Sequence, residues 1–86
     1  MQNFSNWLVN GPYSMKKISS YGYISRINLI EKVLNIKVSQ IQSKEIENII
    51  AGSINSSIFP NKSQKQLNDL KCALRKFIQF KKTSKS

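Results

Sequence analysis

The segment from Ser63 to Lys82 constrains the fold more than any other part of the chain. Wound at about 3.6 residues per turn, it lines up Leu67, Leu70, Leu74, Phe77 and Ile78 on one stripe. Lys65, Lys71, Arg75, Lys76 and Lys82 fall largely across from that stripe, with Asn68 and Gln79 between them. So regular an apolar stripe predicts a surface helix with one face in a core. Ser63-Gln64-Lys65-Gln66 opens the segment and fits the S/T-x-x-E/Q capping box, in which each side chain takes up an orphan backbone N–H. The apolar face of such a helix has to be buried against other elements.

Upstream, Asn3 to Val9 reads as a short helix, with Asn3 or Ser5 as its cap and Phe4, Trp7 and Leu8 on one face. Asn10-Gly11-Pro12 stops it, because Gly admits a positive φ and Pro cannot continue a helix. Ser14 offers the cap of a second helix running from Met15 to about Leu34. Its apolar positions cover more than one stripe, so it is either the widely buried central helix or it bends near Gly22. Asn35 to Gln42 alternates weakly through Ile36, Val38 and Ile41 but has no partner strand; it reads as an extended connection whose apolar residues plug the core. Ser43 is the expected cap of a third helix, with Glu45 and Glu47 near its positive end, Ile46, Ile49 and Ile50 buried, and Gly52 at its close. Ser53 to Lys62 reads as a loop anchored by Ile58 and Phe59. These elements predict an all-α four-helix bundle with short connections.

Charge bounds the partners. The chain has 86 residues with 14 Lys and Arg against 4 Asp and Glu, a formal net charge of +10. That is one small domain with a strong attraction to polyanions. Nucleic acid is the first partner this implies and an acidic protein the alternative. An anionic membrane is a weaker third, because the fourth helix would spend its apolar face on the core. No run approaches the ~20 apolar residues needed to cross a bilayer, and Met1-Gln2-Asn3 lacks the basic start of a signal peptide. The single Cys72 forms no intrachain disulfide and suits a reducing cytoplasm.

The catalytic menu is nearly empty. There is no His and one Cys, so no zinc set is available. Glu31, Glu45, Glu47 and Asp69 show no paired spacing, and Glu45 and Glu47, two apart, point to different sides of a helix. Gly11, Gly22 and Gly52 are too scattered for a phosphate loop. The expectation is a protein with no cofactor, no metal, no small-molecule substrate and no enzymatic activity. What remains is binding: Lys and Arg neutralise phosphates, Ser and Asn at helix starts add backbone contacts to them, and Gln66, Asn68, Arg75 and Gln79 are of the types that read base edges.

Three stretches together carry a resemblance: Phe4-Ser5-Asn6-Trp7-Leu8; Ser14-Met15-Lys16-Lys17-Ile18-Ser19-Ser20-Tyr21; and Leu70-Lys71-Cys72-Ala73-Leu74-Arg75-Lys76-Phe77-Ile78-Gln79-Phe80. They resemble the N-terminal core-binding domain of tyrosine recombinases (phage integrases), with its opening F..WL, its S..T...Y entry to the second helix and its closing ALR.F..F. Lys17 departs from it, standing where the family has Thr. The resemblance covers residues 3 to 82 and leaves 83 to 86 as a polar tail or the start of a linker. It implies a SAM-like bundle of four or five helices that grips duplex DNA with its second and fourth helices. By position it implies DNA contacts at Ser14, Lys16, Lys17 and Ser20, and at Lys65, Lys71 and Arg75, with Tyr21, Leu74 and Phe77 in the core. The family's catalytic domain is absent from this chain. Its natural partners would therefore be DNA and a C-terminal catalytic domain or other subunits. Similar modules look to be fused to restriction-type nucleases as well, so the parent activity stays open between the two.

Overall fold

The computed structural model describes residues 2–84. Among them are four α-helices, α1 (Gln2–Asn10), α2 (Lys17–Leu34), α3 (Ser43–Gly52) and α4 (Gln64–Ser84), with a single 3-10 turn at Val38–Gln40 and no strand. The predicted all-α bundle is what forms. α4 is its axis: α1, α2 and α3 all pack on it, and α1 also packs on α2. Its stripe is buried as expected, at Leu67, Leu70, Leu74, Phe77 and Ile78, and Ala73 joins it. The capping box closes reciprocally, with the Gln66 N–H donating to Ser63 Oγ at 3.2 Å and the Ser63 N–H to Gln66 Oε1 at 2.9 Å.

α1 supplies Phe4 and Leu8 to the same core. The Phe4 ring meets Phe77 edge-on at 5.1 Å and Phe80 at 5.5 Å, and Trp7 lies 5.7 Å from Phe80. Each fully buried side chain of this size contributes about 1.5–3 kcal/mol, which lets a nine-residue helix, too short to persist alone, hold its place. Neither Asn3 nor Ser5 caps α1; both lie within it.

The turn after α1 works differently from its sequence reading. Gly11 has no positive φ. Its role is close approach: its N–H bonds the Trp7 carbonyl at 2.8 Å, and a Cβ would stand 2.3 Å from that oxygen. The left-handed residue is Ser14, at φ 44°. Ser14 therefore does not cap α2. The helix begins later, at Lys17, and its cap position is Lys16, which makes no side-chain cap bond. α2 runs unbroken past Gly22 and is not widely buried: Ser20, Ile27 and Ile30 face inward, while Tyr21, expected in the core, is 55% exposed.

α2 ends on Asn35, left-handed at φ 56°, with the N–H groups of Asn35 and Ile36 both reaching the Glu31 carbonyl, a Schellman-type close. The connection beyond is clamped from two sides. The Glu31 carboxylate accepts the Val38 N–H at 3.0 Å, and Lys81 Nζ donates to the carbonyls of Val38, Ser39 and Ile41 at 3.3, 3.4 and 2.7 Å. Val38 is thereby fully buried, with Ile36 and Ile41 partly so, as plugs of the core. Ser43 is the first residue of α3 and not its cap; that position is Gln42, again without a side-chain bond. In the α3–α4 loop the buried anchors are Ile54 and Phe59, while Ile58 is exposed. α4 continues through Thr83 and Ser84; Lys85 and Ser86, the rest of the expected tail, lie outside the described residues.

Candidate nucleic-acid interface

Once α4 has buried its stripe, its charge has only one way to face. At about 100° per residue, Lys71, Lys82, Arg75, Lys65 and Lys76 span an arc of roughly 140° centred away from the core. Asn68, Cys72 and Gln79 fill the gaps, and Asp69, the acid of α4, falls just past the Lys76 edge. Lys65, Arg75 and Lys82 are exposed, Lys71 and Lys76 half-buried. From Lys65 to Lys82 the ridge is about 25 Å long at 1.5 Å per residue.

The start of α2 is drawn to this ridge by aromatic contacts. Lys76 Nζ sits 4.2 Å from the ring centroid of Tyr13 and 5.5 Å from that of Tyr23, and the Tyr13 hydroxyl donates to Gln79 Oε1. Such cation–π contacts hold about 0.5–1 kcal/mol each where exposed. The Arg26 guanidinium lies 5.4 Å from Tyr23, so that ring takes cations from two helices. Lys16 follows Tyr13 by three residues, which keeps it within about 10 Å of the ring's own backbone. Lys16 and Lys17 are both exposed.

The residues expected at the interface therefore divide. Lys65, Lys71 and Arg75 stand on the cationic ridge, while Ser14, Lys16 and Lys17 are exposed in and just after the turn whose Tyr13 reaches it. Ser20 does not belong there. It is fully buried, and its Oγ donates to the Lys17 carbonyl at 2.7 Å. The sequence did hold a sign of this: Ser20 precedes Ile27 by seven residues, so it shares the inward face. Lys76, Arg26 and Lys82 join the surface beyond those expected. Lys82 could be found from the α4 period alone. The organising role of Lys76 could not, because Tyr13 and Tyr23 reach it from other elements.

A groove of ≈ 350 Å³ runs along the α3 side of the ridge, lined by Glu47, Ile50, Arg75, Ile78, Gln79 and Lys82. Two wider clefts share Asn28, Glu31 and Lys37, one bounded also by Phe4 of α1 and Phe77 and Phe80 of α4, the other by the end of α2 and the connection after it. Among the described residues no cluster of three or more His, Cys, Asp or Glu could hold a metal ion, and no helix is long and apolar enough to cross a membrane. What the ridge can do is hold anions in a row. No protein-family profile matches the chain, and neither does any curated protein or solved structure.

Proposed function

We propose that this chain is a non-catalytic DNA-binding module, acting in the cytoplasm, that grips duplex DNA through phosphates. The observation that carries this reading is the cationic ridge of α4 and its aromatic link to the segment that leads into α2. The ridge of α4 and the start of α2, far apart in sequence, are joined through Lys76, Tyr13 and Tyr23, in a protein whose formal charge is +10. Lys16, Lys17, Lys65, Arg75 and Lys82 are its exposed cations, and Lys71 supports them from the flank. The finer reading is a core-binding, SAM-like domain of an integrase-type protein that works beside a catalytic domain. It is supported by the meeting of the opening Phe4 and Trp7 with the closing Phe77 and Phe80 in one aromatic cluster.

A titration of random-sequence duplex at two salt concentrations tests it. Five phosphate contacts give a slope of log K against log salt of about −4.5, which is a loss of roughly 500-fold between about 50 and 200 mM salt. Lys16→Glu with Lys17→Glu should bring the slope to about −2.7 with helical circular dichroism unchanged. Ser20→Ala, buried away from the surface, should leave binding as it was. Binding that ignores salt, or a double variant that binds normally, refutes the assignment. A folded chain with no affinity even at low salt points instead to an acidic protein partner.

A further inference from the structure

Beyond any contact with DNA, we infer that the outer face of α2 is a docking site for an acidic amphipathic helix on a protein partner. α2 packs inward on α1 and α4, and Ser20, Ile27 and Ile30 mark its buried side. The opposite side is apolar where a solvated helix would be polar. Ile18 is 77% exposed, Tyr21 55% and Val33 43%, and Leu29 packs on the core over only part of its surface. Ile18, Gly22, Ser25 and Leu29 follow one another at spacings of four, three and four, the repeat of a seam between two packed helices.

Gly22 supplies an independent observation. It has no positive φ, and a Cβ there would make only ordinary contact, with the Arg26 guanidinium at 3.5 Å. Nothing inside the protein requires glycine, yet glycine within a helix costs about 1 kcal/mol relative to alanine. A partner backbone that displaced the Arg26 side chain and approached closely over Gly22 and Ser25 would account for that cost.

Charge selects the partner. Lys17, Arg26 and Lys32 border the face, and the acid of α2, Glu31, is turned to the Val38 N–H. A second copy of this chain would bring like charges together across the seam, whereas a helix with Glu or Asp beside its apolar stripe complements the border.

The test is selection of the full chain against a display library of amphipathic helices whose flanking positions vary among Glu, Lys, Gln and Ser. Enriched clones should carry Glu at the flanks. They should lose at least tenfold in affinity to Ile18→Ser combined with Val33→Ser, which adds no charge, and to Gly22→Leu, which blocks close approach while raising helix propensity. Duplex affinity and circular dichroism of both variants should match the parent, which separates this surface from the DNA ridge. Four results would overturn the proposal: no enrichment over an unrelated protein; no preference for acidic flanks; binding indifferent to these substitutions; or sedimentation showing that the chain associates with itself through Ile18 and Val33.

Discussion

Leu74→Ala and Ile18→Ala remove aliphatic carbons from two helices, and the structure predicts opposite outcomes. Leu74 is 0% exposed, in the centre of the α4 stripe. Its truncation loses transfer free energy and leaves a cavity among neighbours that relax only in part, at a cost of about 2–5 kcal/mol. A chain of this length has about 4–13 kcal/mol of stability in total, so the single change removes a large share of it. Ile18 is 77% exposed. Full burial of such a side chain yields about 1.5–3 kcal/mol, so the small buried part is worth well under 1 kcal/mol, and the better helix propensity of Ala offsets some of that. Urea denaturation followed by helical circular dichroism and by the fluorescence of Trp7 separates the two. With a slope of about 1–1.5 kcal/mol per molar urea, expected at this size, Leu74→Ala should lower the midpoint by roughly 1–5 M. Ile18→Ala should move it by less than about 0.5 M. If Ile18→Ala cost as much as Leu74→Ala, the orientation of α2 would be wrong, and with it the argument for its outer face.

Ser63→Ala should cost about 1 kcal/mol, and hydrogen exchange should show the amides of the first turn of α4 opening faster while those near Leu74 keep their protection. Gly11→Ala forces a Cβ to 2.3 Å from the Trp7 carbonyl and should destabilise by about 1–3 kcal/mol, whereas Gly52→Ala, with nothing within 4 Å, should gain about 0.5–1 kcal/mol; thermal melts of the pair check both signs. Lys81→Met keeps the stem that lies near Phe77 but removes the donors to Val38, Ser39 and Ile41, which should cost about 1–2 kcal/mol and speed exchange in the α2–α3 connection more than in α4.

How far the sequence could be read depended on whether the signal was local. The capping box at Ser63 and Gln66 is a contact across three residues, and it formed as its pattern says. Ser14 and Ser43 looked like caps by composition, but a cap also needs the right backbone. Ser14 is left-handed, and Ser43 is already inside α3. Tyr21 and Tyr23 are two apart on one helix, so only one of them could face inward; the choice fell to Tyr23, which packs on the core and carries Lys76 and Arg26. In the last loop, Ile54 and not Ile58 was taken into the core, a choice no period in an irregular segment can show.

The amino-acid order by itself determined the helices, the breaks between them and the buried stripe of α4, because helical periodicity, capping and the demand to bury apolar surface act within a few residues. It also set the sign and excess of charge. Tertiary structure decided which face of α2 turned inward, burying Ser20 and leaving Ile18 and Tyr21 outside. It also brought the start of α2 to the cationic side of α4, through Tyr13, Tyr23 and Lys76. Those outcomes depend on which helices compete for α4, a contest between residues more than sixty positions apart, such as Tyr13 and Lys76, and no local pattern encodes its result.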